Sequence, residues 1–273
     1  MLRVAIAGAA GRMGRSLIEA ALAAESGVRL GAATARAGDP ALGADAGLLA
    51  AGRAVGVPVV ASLDQCPGGF DALIDFTSPA ALAAHTAHCR EHGKALVVGT
   101  TGLGPEHQRL LAACAEAAPV LHSPNMSLGV NLSLALLRQA ASALGDEFDV
   151  EIIEAHHRHK KDAPSGTALA MGRAVAESLG RELDDCAVFG REGIGGERDR
   201  KTIGFAIIRG GDIVGEHTAI FAGPGERLEI THKASSRTTF AHGALHAARW
   251  LAGKPPGLYT ISDVVTNGGS GAQ

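Results

Sequence analysis

The sequence predicts an α/β protein, with a doubly wound parallel sheet at the N-terminus and a second α+β domain whose sheet is mainly antiparallel. Three observations carry this expectation. A short apolar strand at the N-terminus runs into the glycine turn Gly8-Ala-Ala-Gly-Arg-Met-Gly14 and then into a helical pattern. Short apolar strands alternate with helical stretches as far as His122, the pattern of parallel βαβ units. Later strand candidates are separated only by Gly210-Gly211-Asp212 and Gly223-Pro224-Gly225, turns short enough for antiparallel neighbours.

Arg3–Ala7 is the first strand, and Ser16–Ala24 has helical spacing. A strand, a glycine turn and a helix in that order are the context of a Rossmann-type dinucleotide-binding unit. The glycines permit a tight turn and let a pyrophosphate approach the helix N-terminus. The spacing is G-x-x-G-x-x-G in place of the commoner G-x-G-x-x-G. Val28–Thr34 is the second strand, where a terminal carboxylate would hold both ribose hydroxyls of NAD. Thr34-Ala35-Arg36 stands there instead, with no carboxylate before Asp39. Arg36, with Arg12, is placed to meet a 2′-phosphate, which points to NADPH.

Gly38–Arg53 reads as a Gly/Ala-rich surface excursion. Strands are predicted at Val57–Val60, Ala72–Asp75, Ala95–Val98 and Val120–His122, with helices at Ala80–Glu91 and Glu106–Ala117. The tips that follow are Phe76-Thr77, Gly99-Thr100-Thr101-Gly102 and Ser123-Pro124-Asn125-Met126. Ligands of doubly wound sheets bind outside the carboxyl ends of the strands, so these tips are expected to line the cofactor crevice.

A long helix from Asn125 to Leu144 then leaves the first domain. Val150–Ala155 is strand-like and leads into Glu154–Thr167, which holds three imidazoles, three permanent cations and two carboxylates. His157, Arg158, Lys160 and Lys161 are too costly to bury together, so they face water or an anionic ligand. Pro164 suits a first helical turn, and Asp162 or Ser165 suits its cap. The N–H groups of Ser165, Gly166 and Thr167 would then point outward, as in a carboxylate or phosphate site. Ala168–Leu179 continues as a helix. Strands are expected at Gly204–Ile208, Ile213–Phe221 and Arg227–His232, and a helix at Thr238–Ala252 that ends at Gly253, Lys254 and Pro255. That helix and the segment to Val265 should return to the first domain, and the tail beyond Val265 reads as disordered.

Composition narrows the function. Hydrophobic residues make up 46% of the 273, and the net charge is −3, which gives no support to nucleic-acid binding. No apolar run reaches membrane-spanning length. Cys66, Cys89, Cys114 and Cys186 are scattered without pairing motifs, which reads as free thiols in a reducing cytoplasm. His85, His88, Cys89 and His92 share one helix face at zinc-ligand spacing, but no carboxylate partner is evident, so no metal site is expected.

Several of these segments together resemble the dihydrodipicolinate reductase family. They are Val4-Ala-Ile-Ala-Gly-x-x-Gly-Arg-Met-Gly14, Gly99-Thr-Thr-Gly102, Glu154-Ala-His-His-Arg-His-Lys160, Asp162-Ala-Pro-Ser-Gly-Thr167 and Gly215-Glu-His217. The match runs in order over nearly the whole chain. It implies NAD(P)H-dependent reduction of a small dicarboxylate, 4-hydroxy-tetrahydrodipicolinate, in lysine biosynthesis by the diaminopimelate pathway. It implies a dinucleotide-binding domain over 1–127 and 237–273, a substrate-binding and oligomerisation domain over 128–236, and a homotetramer.

Carried over by position, Gly8, Ala9, Ala10, Gly11, Arg12 and Met13 would hold the pyrophosphate. Gly99, Thr100 and Thr101 would lie at the nicotinamide, with Ser123, Pro124, Asn125 and Met126 closing the pocket. His156 would be the proton donor or acceptor and Lys160 a second proton donor, while His157, Gly166 and Thr167 would bind substrate carboxylates. The family often has an acidic residue before the arginine after the second strand. Ala35-Arg36 stands here, so NADPH is expected to be preferred over NADH. The cluster of histidines separates this reading from other two-domain dehydrogenases; a non-catalytic NADPH sensor would show no turnover, and a metal-binding protein using His156, His157 and His159 or the His85–His92 face is decided by metal analysis.

Overall fold

A computed structural model of the chain describes residues 1–66, 68–236 and 238–267, Asn267 by its backbone alone. In chain order the elements are β1 Leu2–Ala7, α1 Arg12–Ala21, β2 Val28–Thr34, α2 Ala46–Ala51, β3 Val59–Val60, β4 Ala72–Asp75, α3 Pro79–His92 and β5 Ala95–Val98. There follow α4 Pro105–Ala115, β6 Pro119–His122, α5 Leu128–Leu144, β7 Asp149–His156, α6 Gly166–Ser178, α7 Leu183–Cys186, β8 Ala187–Val188 and β9 Ile203–Arg209. The chain ends with β10 Gly215–Gly223, β11 Glu226–Ala234, α8 Thr238–Leu251, β12 Gly257–Tyr259 and α9 Ile261–Asn267. It divides into two compact units, one of Met1–Leu128 with Thr238–Gln273 and one of Gly129–Arg237.

The first unit is built on a seven-stranded sheet in the order β12-β6-β5-β4-β1-β2-β3, with every neighbouring pair parallel. The strand order reverses between β1 and β4, which is the switch point of a doubly wound sheet. Alternation along β1 assigns the layers. Val4 and Ile6 join the core with Leu17 and Ile18 of α1 and Ala244, Leu245 and Ala248 of α8. Ala5 and Ala7 face the opposite core with Leu82 and Cys89 of α3 and Leu111 and Cys114 of α4. All four residues of β4 and of β5 are buried, as expected for strands covered on both faces.

Helix α1 begins at Arg12 because Gly11 is its N-cap, so the glycine turn leads directly into the first helical turn, ahead of the predicted Ser16 start. Within the predicted surface excursion, Ala46–Ala51 forms the short helix α2. Asp45 Oδ1 caps it by accepting from Gly47 N at 2.8 Å and Leu48 N at 3.1 Å. Thr266 and Asn267, read as tail, extend α9. The expectation of disorder from Gly268 onward lies outside the described residues.

The second unit is a five-stranded sheet in the order β11-β10-β7-β9-β8. β10 runs antiparallel to β11 and β7, while β7–β9 and β9–β8 are parallel, so the sheet is mixed. Gly223-Pro224-Gly225 joins neighbours as a hairpin, but Gly210-Gly211-Asp212 does not. There the chain leaves β9, passes over the end of β7 and enters β10 on the other side. Gly210 N donates to His156 O at 2.9 Å and Arg158 N to Gly211 O at 3.3 Å, which fastens this crossing to the end of β7.

Val150 and Ile152 of β7, Phe205 of β9 and Ala219 and Phe221 of β10 pack against Leu137 of α5 and Met171 and Val175 of α6. With a period of two, Glu154 and His156 continue on that same face past the apolar core. The register sets Glu154 beside His217, and His217 beside His232.

Candidate active site

In the first unit a cavity of about 600 Å³ opens at the switch point. The glycine turn, Thr34–Arg36, Phe76–Ser78 and His85 line it. Gly8 has φ +71°, and a Cβ there would lie 2.9 Å from Thr77 Cγ2. A Cβ on Gly14 would lie 2.1 Å from Gly8 O, so only glycine lets α1 start directly on the turn. The leading N–H groups of a helix have no intrahelical acceptor, and here they meet the cavity beside Arg12. Arg36 extends into solvent, its side chain 87% exposed and 3.9 Å from Asp39. A cradle that any side chain would fill, at the start of a helix, fits the pyrophosphate of a dinucleotide.

Of the residues expected at the cofactor, Gly8, Ala10, Gly11, Arg12, Met13 and Arg36 line this cavity. Ala9 and Met126 are instead buried in the core, and Ala9 N donates to Thr34 O at 2.8 Å. Gly99, Thr100, Thr101, Ser123, Pro124 and Asn125 occupy the tips after β5 and β6 and are not among the cavity's lining residues. A Cβ on Gly99 would lie 2.3 Å from the Phe76 ring, which holds that tip to glycine.

The tips are organised by Asp75, a fully buried carboxylate at the end of β4. It accepts from Thr77 N at 2.8 Å, Thr77 Oγ1 at 2.6 Å, Thr100 Oγ1 at 3.1 Å and His85 Nδ1 at 2.7 Å. Burial alone would raise its pKa, but the hydrogen bonds from His85 and Thr77 outweigh it and hold the carboxyl below its ordinary value. This corrects the reading of α3. His85 has a buried carboxylate partner, and His88 Nδ1 meets Asp64 Oδ1 at 2.9 Å. Cys89 lies in the core. Among the described residues no group of three or more His, Cys, Asp or Glu side chains is arranged to hold a metal ion.

In the second unit the histidine-rich segment is organised by Glu154, which is also fully buried. Oε2 accepts from His156 Nδ1 at 2.7 Å and from Arg209 Nη1 at 2.7 Å. Oε1 accepts from Arg209 Nη2 at 2.7 Å and Ser165 N at 2.9 Å. Desolvation would raise this carboxyl, but the bonds from Arg209, His156 and Ser165 outweigh it and place it below its usual range. Ser165, not Pro164, starts α6. Its Oγ accepts from Ala168 N at 3.1 Å and meets His217 Nε2 at 2.8 Å. The Ser165 N–H, expected to face a ligand, is therefore consumed by Glu154, and the helix proper begins with Gly166 and Thr167.

His217 packs edge-on against His156, with ring centroids 5.1 Å apart. Burial, aided by the neighbouring His156, holds His217 down at about 4. A Cβ on Gly215 would come within 3.0 Å of His156 Nε2, so glycine leaves that nitrogen uncovered. Lys160 is held by Asp162, with Nζ donating at 2.9 and 2.8 Å. His157 lies 6.2 Å from His159, centroid to centroid. Glu154 and Arg209 escaped assignment as site residues, and Ser165 was expected to serve a ligand rather than Glu154. The signal available was a carboxylate two positions from a histidine on a strand, which puts both on one face.

Family models for the N-terminus and the C-terminus of dihydrodipicolinate reductase match residues 2–126 and residues 129–265. A relative from Hahella chejuensis (strain KCTC 2396), a 4-hydroxy-tetrahydrodipicolinate reductase, is 57% identical over 265 residues, 97% of this chain and 99% of its own. The structure of dipicolinate-bound dihydrodipicolinate reductase from Paenisporosarcina sp. TG-14 superposes with a TM-score of 0.75 at 25% identity, covering 95% of this chain and 97% of its own. An apo scyllo-inositol dehydrogenase from Lactobacillus casei, at 13% identity and a TM-score of 0.57 over 98% of this chain and 89% of its own, shares the fold alone.

Proposed function

The chain belongs to the dihydrodipicolinate reductase family, and from that premise we propose how its own residues carry the family's reaction. It is an oxidoreductase that reduces 4-hydroxy-tetrahydrodipicolinate to tetrahydrodipicolinate with loss of water, using NAD(P)H, in lysine biosynthesis by the diaminopimelate pathway. The observation that carries the residue assignment is His156, a histidine fixed by a buried carboxylate at the head of a cationic segment.

The substrate is a cyclic imine with two carboxylates and a 4-hydroxyl. Loss of that hydroxyl as water leaves a conjugated, electron-poor ring. A nicotinamide held at the first unit's strand tips would supply hydride to C4, and a proton at the adjacent carbon would complete the reduction. His156 Nε2 handles one proton, being the ring nitrogen that the Glu154 contact leaves available. Lys160, held beside Asp162, is a second donor. His157, Gly166 and Thr167 bind carboxylate at the start of α6, where helix polarity favours a negative charge.

In the first unit, Gly8–Met13 cradle the pyrophosphate. The strand tips at Gly99–Thr101 and Ser123–Met126 meet the nicotinamide half. Arg36, preceded by Ala35 where the family often has an acidic residue, selects NADPH over NADH. A homotetramer is supported by the face of the second sheet opposite its core with α5 and α6, where Ile208 is 50% exposed and Ile153 and Ile220 are half-buried. The second unit, 129–236, is thus the substrate and assembly domain and the remainder the cofactor domain. A cytoplasmic location is supported by four free thiols, and among the described residues no helix is long and apolar enough to cross a membrane.

The test is nicotinamide consumption by the purified protein, with substrate made in place from pyruvate and aspartate semialdehyde by the preceding synthase. NADPH and NADH are run side by side. Substrate-dependent oxidation with higher kcat/KM for NADPH is expected. Equal values would remove Arg36 as a selector, and no turnover with cofactor still bound would overturn the assigned roles.

A further inference from the structure

We propose that Glu154 is the positioning residue of the proton-transfer site: it fixes which nitrogen of His156 carries the mobile proton and ties that histidine to the start of α6. This rests on the reading of His156 as the proton-handling group. Both Glu154 oxygens are saturated, one by His156 Nδ1 and Arg209, the other by Arg209 and Ser165 N. An ionised carboxylate only accepts, so His156 Nδ1 keeps its hydrogen in both protonation states. The exchangeable proton is confined to Nε2, the nitrogen that Gly215 leaves uncovered.

When imidazolium gives its Nε2 proton to the substrate carbon, the ring becomes neutral with Nδ1–H still on Glu154, and the carboxylate takes no proton. The same carboxylate holds the Ser165 backbone, whose hydroxyl caps α6 and meets His217. A single buried charge therefore sets the orientation of the histidine and the placement of the helix start assigned to substrate carboxylate. Arg209 Nη2 also donates to Asp162 O at 2.7 Å, which extends the tie to the partner of Lys160. The titratable and charged groups beside His156 are Glu154 on its own strand, Arg209 on β9 and His217 on β10; His232 on β11 and Lys160 in the following loop act on His217, and Asp162 pairs with Lys160.

The experiment compares wild type, Glu154→Gln, Glu154→Asp and His156→Ala by kcat, KM and pH–rate profile, with ¹⁵N NMR of the His156 ring nitrogens. In E154Q, kcat is expected to fall on the order of 10²-fold. Its pH–rate profile should change shape, because the Gln amide can either donate to or accept from Nδ1 and no longer holds one tautomer. KM for NADPH should stay unchanged. E154D should recover part of the rate.

The neutral His156 of wild type should show the Nδ1–H tautomer. An Nε2–H tautomer overturns the proposal without recourse to any variant, including a Gln variant that fails to fold. An E154Q enzyme with wild-type rate and profile overturns it while the reading of His156 stands. A fully active His156→Ala enzyme removes that reading itself.

Discussion

Glu154 Oε2 lies 2.7 Å from His156 Nδ1, on adjacent same-face positions of β7, and the carboxylate making this contact is fully buried. A buried carboxylate is costly unless its oxygens are filled, and here Arg209 and Ser165 N fill what His156 does not. The first unit repeats the arrangement with Asp75 and His85, again 2.7 Å apart. In each unit one ionised acid orders the loops and strand ends that would meet a ligand.

Arg36 should govern cofactor choice. Arg36→Ala is expected to lower kcat/KM for NADPH by about 10- to 100-fold, the range of one lost charged hydrogen bond, and to leave the NADH value nearly unchanged. Ala35→Glu should raise NADH use by supplying the carboxylate for the ribose hydroxyls. Steady-state kinetics with both cofactors reads each change, and an equal loss for both cofactors in Arg36→Ala would refute the assignment.

Gly14→Ala should weaken the fold and the cofactor site together, because its Cβ would enter Gly8 O at 2.1 Å. Overpacking of this kind costs about 1–3 kcal/mol. A lower urea midpoint and a weaker NADPH titration are expected, and an unchanged dissociation constant would show that the cradle is elsewhere.

His217 should make the fold acid-sensitive. Its folded value of about 4 lies below the 6.5 of an unfolded histidine, so between these values the unfolded chain binds more protons. Stability from this group is full above the upper value and is lost as pH falls towards the lower one, by up to about 1.4 kcal/mol per pH unit. His217→Gln, which places an amide near the Ser165 hydroxyl, should flatten this slope. Urea midpoints measured across the window decide it, and an equal slope in the variant would contradict it.

Lys160→Ala should lose kcat by about 10²-fold or more, as expected for a proton donor, with KM for NADPH unchanged. Lys160→Arg keeps the charge but is a poor acid, so it should recover substrate affinity without recovering rate. Recovery of full rate by Arg would reassign Lys160 to binding alone.

The parallel sheet was legible because β1, β4 and β5 are apolar runs followed by glycine or polar tips, so pattern and turn chemistry agree. The path over the end of β7 was not. Gly210-Gly211-Asp212 has the composition of a hairpin turn, and only the strand it crosses, remote in sequence, shows that it is none. His156 and Lys160 were legible as chemistry because so many charges in one segment cannot be core. Their supports were not, since Arg209 reaches Glu154 from 55 residues away and Ser165 had two competing uses for its N–H. α2 and β12 escaped because elements so short are set by tertiary contacts rather than by pattern.

The most direct test of the account is kcat of His156→Ala against wild type at saturating NADPH and synthase-generated substrate, with NADPH affinity measured on the same preparations. The account predicts a loss of about 10²- to 10⁴-fold in kcat with cofactor affinity unchanged, because the residues proposed for the dinucleotide belong to the other unit. A variant that turns over at the wild-type rate would contradict it.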